Sequence, residues 1–309
     1  MPILALALML PLLGTAQTDF RSHWGDWKAE IDSYQLVQPR YGEARKGTAV
    51  MIWVTEPFSV EKHVKPDQPT AGDGKTAHVL KLNMLRRFTT GIYDYSLMLS
   101  VFSPLVFDEQ HQSPGDHRPL KVTFTGQDWC GHVFHQLDTR GATLESQWNS
   151  YFESEGDGRE KLPLTADTLL EDELWFRLRG LTVPLKPGKY RFVPSVVSAR
   201  LAHTPLSPGT MQLSEAKRES ITVPAGTFAT RRHELVLSFP DSRPKLKRQI
   251  WVEEAYPHRI VSWTSDALGF RGKEPTQERG QLMGSVRDTY WQHNRVQDEP
   301  ARRALRLAD

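Results

Sequence analysis

The sequence predicts a mainly β protein: one or more curved antiparallel sheets, a sandwich or half-barrel, with one inserted helix near residues 168–181. Three observations predict it. Short runs rich in β-branched and aromatic residues recur along most of the chain. Segments rich in Gly and Pro separate them. Only one stretch combines a helical apolar stripe with a start signal.

The elements follow in order. Met1–Ala16 carry no side-chain charge and form one apolar run ending in small residues. The run is roughly a dozen residues, against the ~20 that a membrane-spanning helix needs. It predicts a secretory signal peptide cleaved near Ala16, and hence a periplasmic or secreted protein. Trp24–Tyr34 sets Trp27, Ile31 and Tyr34 at helical spacing. Thr48–Thr55 is a β-branched apolar run, and His78–Leu82 and Ile92–Phe102 are rich in strand formers. Leu120–Thr125 alternates Leu, Val and Phe with Lys, Thr and Thr. Val133–Leu137 and Leu144–Phe152 flank an Asp-Thr-Arg-Gly turn at 138–141. Thr168–Leu181 is the predicted helix. Thr168 and Glu171 read as a capping box, and Leu170, Leu174, Leu178 and Leu181 form its stripe. Strand signals resume at Lys189–Leu201, Met211–Val223, His233–Phe239, Arg248–Glu253, Arg259–Thr264 and Gln281–Tyr290. Pro300–Ala308 reads as a short Arg-rich tail helix at best, or as a frayed and solvated end. The expected division is a signal peptide over 1–16, a β-rich lobe over 17–165, the helix over 166–182, a second β-rich lobe over 183–292 and a flexible tail over 293–309. The two lobes either pack together or continue as one β domain.

Bulk properties narrow the function classes. The chain has 309 residues and a net charge of +2, too small to argue for nucleic acid. One Cys excludes an internal disulfide, which suits a bacterial periplasm or cell surface better than a eukaryotic secretory route. No Asn-x-Ser/Thr site occurs. No later stretch is apolar for ~18 residues, so no transmembrane segment is expected. The nine Trp suit an aromatic-lined cleft.

Arg40–Glu43, Val50–Phe58, Lys81–Asn83, Thr90–Ser96 and Gln127–Gly131 together resemble a group of secreted bacterial proteins of unknown function, some of which carry the label septum formation inhibitor Maf. True Maf nucleotide pyrophosphatases start with Ser-x-Ser-Pro-Arg-Arg on an α/β fold. That motif is absent here, so the label is set aside. Ile221-Thr-Val-Pro-Ala-Gly-Thr-Phe228, with Arg248–Glu253 and Pro257–Ser262, is similar to an uncharacterised periplasmic β family marked by a Pro-Ala-Gly-Thr-Phe turn. The second resemblance implies a curved antiparallel sheet related to envelope lipid carriers. Neither brings a catalytic residue. In physical terms Pro224 and Gly226 make a tight turn that lets the flanking strands pair.

Candidate chemistry centres on Gln127–His135, which holds Cys130, His132 and His135. On a regular strand Cys130 and His132 share a face, with Cβ atoms ~6–7 Å apart. That spacing suits a thiolate–imidazolium nucleophile. The plainer alternative makes Cys130 a buried small hydrophobe. A metal site that includes His135 needs a bulge at Gly131. Tyr93 and Tyr95 share a strand face and, with Trp129 and Trp53, are the candidate ligand-binding wall. Glu153, Glu155 and Asp157 read as a solvated loop, and Glu171–Glu173 as charges favouring a helix start. No phosphate loop, HExxH, GxSxG or CxxC motif occurs. The leading expectation is a non-enzymatic exported envelope protein without cofactor or metal. It binds a lipid, another amphipathic small molecule or an envelope protein in an aromatic-lined concavity. The alternatives are a hydrolase using Cys130 and His132, and a structural surface module.

Overall fold

The computed structural model describes residues 20–68, 75–105, 117–268 and 276–307. The signal peptide expected over residues 1–16 lies outside these. Alternating strand residues meet turn residues at each hairpin, and the chain folds back on itself repeatedly. β1 (Ala29–Arg40), β2 (Glu43–Ser59), β3 (Thr76–Thr90), β4 (Tyr93–Pro104), β5 (Lys121–Asp128), β6 (Gly131–Arg140), β7 (Thr143–Ser150) and β8 (Asp157–Pro163) form an antiparallel meander. Then come β9 (Thr168–Leu170), β10 (Gly188–Val193), β11 (Gly209–Leu213), β12 (Lys217–Val223), β13 (Gly226–Ser238), β14 (Leu246–Glu253), β15 (Ile260–Ala267) and β16 (Thr276–Asp288). All belong to one unclosed sheet, in the order β8 to β1, then β16, β15, β14, β13, β11, β10, β9. β12 pairs with the first half of β13 and β11 with its second half. Only β9 and β10 pair in parallel among the described strands. The stretches expected as two lobes therefore meet where β1 pairs with β16.

The fold is mainly β and its sheet mostly antiparallel, as expected. Its inner face buries Leu36, Met51, Leu82, Leu99 and Phe124 from one half and Leu235, Ile250 and Trp263 from the other, in one hydrophobic cluster. The segments that flank β10, residues 171–187 and 194–206, pack against this face. Trp175 meets Trp263 edge-on at 5.6 Å between centroids, and Phe176 meets Trp53 at 5.1 Å. Burial of this kind, at about 25 cal/mol per Å², is the main force closing the sheet over its insertion.

The insertion corrects one expectation. In place of a helix over 168–181 there are β9, a 3-10 turn over Glu171–Glu173 and the four-residue α1 (Leu174–Arg177). The Leu stripe is buried as read, but Trp175 and Phe176 are buried too. A segment covered on every side has no need of a regular amphipathic helix. The capping box is absent because its members are used elsewhere. Thr168 Oγ1 bonds to Thr165. Glu171 accepts from Ser195 N at 2.9 Å and Asp172 from Val196 N at 3.2 Å, at the start of α2 (Val196–Ala202). Burial first, then the neighbouring Glu171 charge, pushes the Asp172 carboxyl up to about 6. A folded pKa above the ordinary value gives stability that is complete below about pH 4 and lost as pH rises through about 6. Asp172→Asn keeps the acceptor and removes the titration. Between pH 4 and 7.5 the variant is expected to gain about 2–3 kcal/mol relative to wild type in urea unfolding. A pH-independent difference contradicts this.

A second correction concerns residues 24–34. A helical turn over 20–24 ends at Trp24, and Ile31 and Tyr34 lie on β1. Tyr34 points inward and its hydroxyl donates to Ile260 O at 2.9 Å. β1 is paired on both edges, so its ladder overrides the helical spacing of Trp27, Ile31 and Tyr34.

The tail expected as solvated forms a 3-10 helix over Val296–Leu305 with no buried residue. It rests on the outer face of β16. Ser33 Oγ donates to Leu305 O, and Arg306 Nη1 donates to Pro224 O at 2.7 Å. Gly284 permits the approach, because a Cβ there would lie 2.7 Å from Ala304 O.

Candidate functional site

The four aromatic residues expected to form one wall are divided. Trp53 is fully buried inside the sheet, under Phe176 and 4.5 Å from the Arg179 guanidinium. Tyr93, Tyr95 and Trp129 do come together at the hairpin end of β4 and β5. Tyr93 lies 5.8 Å from Tyr95 and 6.4 Å from Trp129 between centroids, and Trp129 is 71 % exposed. Tyr95 stacks on Phe88 at 4.8 Å. Its hydroxyl lies 2.8 Å from that of Tyr41 and accepts from Arg40 Nε at 3.3 Å. Burial first, then the Tyr41 bond, pushes the Tyr95 phenol up. The cavity beside Arg40, Tyr95 and Arg200 measures about 30 Å³. That volume admits a water and no amphiphile. Beside Tyr95 the space is taken up by Phe152, Arg200 and Leu201, which line what remains of it.

Cys130 and His132 do not share a strand face. Trp129 and Cys130 form the turn between β5 and β6, where Asp128 Oδ1 accepts from Cys130 N at 2.7 Å and from Gly131 N at 3.3 Å. This Asx-type turn breaks the assumed alternation. Both side chains are exposed, so Cys130 is not a core hydrophobe either. Sequence reasoning missed a different pair, His135 Nε2 and Ser146 Oγ, 2.9 Å apart across β6 and β7. Burial first, then Arg200, lowers His135 to about 4, and Ser146 is only 2 % exposed. Glu155 ties the turn after β7 to the end of α2 through Arg200 and His203. No group of metal-ligating side chains occurs among the described residues.

A ligand-sized cavity lies on the other side of the sheet. Antiparallel sheets ordinarily turn polar side chains outward. Here Val286, Ile31 and Ile52 stand side by side on the outer face of β16, β1 and β2. Val50 and Leu85 pair in the adjoining row of β2 and β3, and Thr48 pairs with Arg87 beyond them. The tail lies above this floor and leaves a cavity of about 480 Å³. Leu305 and Leu307 from the tail, with Tyr290, His293 and Arg302, also line it. The volume falls in the range of small-molecule sites, about 300–1,000 Å³. The floor was visible in the sequence. Ala49–Val54 is apolar at every position, the pattern of a strand covered on both faces.

No family model matches the chain, and no curated protein matches it significantly. Three solved structures are similar at low scores. A Bacteroides fragilis protein described as exported, with a YmcC-like fold, is 11 % identical, with 84 % of this chain and 94 % of that one covered and a TM-score of 0.23. A Parabacteroides distasonis protein described as a lipoprotein is 8 % identical, with 84 % and 95 % covered and a TM-score of 0.27. A Vibrio parahaemolyticus domain described as an outer membrane lipoprotein-sorting protein is 10 % identical, with 96 % and 98 % covered and a TM-score of 0.19. Scores this low carry nothing over to this chain. No described helix is long and apolar enough to cross a membrane.

Proposed function

We propose that this is an exported envelope protein that binds an amphipathic small molecule, without catalysis, in the cavity between the outer sheet face and the tail. Export rests on the apolar run at 1–16. The observation that carries the binding reading is the aliphatic floor of Val286, Ile31, Ile52, Val50 and Leu85 under a 480 Å³ cavity with a charged frame. An apolar patch of this kind, rimmed by polar groups, marks a binding surface. The aliphatic side chains that the tail brings to the cavity are those of half-buried Leu305 and Leu307, and no tail residue over 296–305 is buried.

The test is titration of a C12 single-chain amphiphile into the folded protein below its micelle concentration, followed by calorimetry. Wild type is expected to bind one chain. Val50→Asp puts a charge on the floor at a half-buried position, and binding is expected to weaken at least about tenfold. Absence of saturable binding by wild type, or equal binding by the variant, contradicts the reading.

A further inference from the structure

We infer that the ligand of this cavity carries an anionic head on a single alkyl chain, and that Arg87 receives the head with help from Arg302. The inference rests on the binding reading above and names its ligand class.

The floor has a direction. Along β2, Ile52, Val50 and Thr48 all face the cavity, and along β3, Leu85 and Arg87 do. Alternate strand residues are ~6.6–7 Å apart. The surface thus passes from aliphatic to polar over roughly 13 Å of β2. Val286 and Ile31 lie at the end away from the Thr48–Arg87 pair, with Asp288, already paired with His293, two residues beyond Val286 on the same face. A chain laid along β2 with its head at Arg87 matches this gradient.

The rim charges favour an anion. Asp288, Asp298 and Glu299 also line the cavity. Asp288 is engaged by His293 Nδ1 at 2.9 Å and by Thr289 N at 2.7 Å. Asp298 accepts from Arg295 N at 3.0 Å. Among the described residues, the side chains of Arg87 and Arg302 have no hydrogen-bond or ion-pair partner, while Glu299 is the one cavity-lining carboxylate whose side chain has none. Two unpaired guanidiniums, with Arg295 also in the lining, stand against one unpaired carboxylate, Glu299, so the balance of free charge offers charge-assisted bonds to a carboxylate or phosphate head.

Dodecanoate and dodecyl phosphate serve as anionic probes, and dodecyl maltoside as the neutral one. Arg87→Gln and Arg87→Gln/Arg302→Gln are on exposed positions, so both variants are expected to fold as wild type. Both anionic probes are expected to lose about tenfold in affinity with the single variant and more with the double, while dodecyl maltoside is unchanged. Arg87→Lys is expected to restore part of the loss. Sodium acetate and inorganic phosphate alone are expected not to bind measurably, since the chain supplies the burial. Equal losses for anionic and neutral probes, or none for either, overturn the anionic head and leave the amphiphile site standing. Binding of the free anions without the chain assigns the arginines to a simple anion site and overturns the inference. Failure of every probe to bind wild type overturns the binding reading itself.

Discussion

Replacing Arg179 with Met is expected to cost about 3–5 kcal/mol of stability. Arg179 is buried between two tryptophans, its guanidinium 4.5 Å from Trp53 and 5.8 Å from Trp24. It pairs with Glu30 at 2.7 Å and donates to His258 O at 2.8 Å and Pro257 O at 3.0 Å. Glu30 also holds His23 Nε2 at 3.3 Å. Burial opposes the Glu30 charge, but Arg179 and the His23 bond outweigh it and keep the carboxyl below its usual range. Asp32, two residues along the same face, is fully buried. Burial and the Glu30 charge push its carboxyl well above the ordinary carboxylate range. Removing Arg179 takes away the buried cation that faces Glu30 and leaves that carboxylate in the core with its bond to His23. Glu30→Gln/Arg179→Met removes both charges and is expected to recover much of the loss. Urea unfolding of the three proteins checks this. A loss under about 1 kcal/mol in Arg179→Met would show that the pair is solvated rather than buried.

Gly280→Val is expected to be nearly as damaging, at about 3–5 kcal/mol. Gly280 and Trp263 are cross-strand partners on β16 and β15. A Cβ at 280 would stand 2.1 Å from the indole ring, so the ring covers the glycine and no side chain fits beneath it. The same indole meets Tyr34 at 4.9 Å and Trp175 at 5.6 Å between centroids. Its Nε1 donates to Glu278 at 2.7 Å, and Glu278 pairs with buried Arg86 at 2.6 Å. Lifting the ring therefore opens the core and leaves Glu278 short of a partner. Loss of near-ultraviolet circular dichroism together with lowered stability is the expected signature. A variant with native spectrum and stability would contradict the ring-over-glycine packing.

The strands were legible because their runs are long and punctuated, and β2 and β4 through β7 lie close to the runs that marked them. β1 was not. Trp27, Ile31 and Tyr34 fit a helical period by spacing alone, and only pairing with β2 and β16 decides the matter. The Leu stripe at 170–181 revealed burial but not conformation, because the insertion is enclosed by a sheet whose other half comes later in the chain. Cys130 was misplaced for a local reason: Asp128 turns the backbone just where alternation was extended through it. The Arg179–Glu30 pair and the covered outer face both join residues far apart in sequence, and no local pattern encodes such a meeting. The doubly apolar run at Ala49–Val54 was the one available hint that both faces of the sheet are covered.

Photolabelling with a dodecanoate that carries a diazirine at the chain end reports most directly where an amphiphile sits. Peptides from β1, β2 and β16, together with the tail over 290–307, are expected to carry the label, competed by unmodified dodecanoate and lost in Val50→Asp. Label concentrated on Tyr93, Tyr95 and Trp129, or label that unmodified dodecanoate fails to displace, would contradict a ligand site beneath the tail.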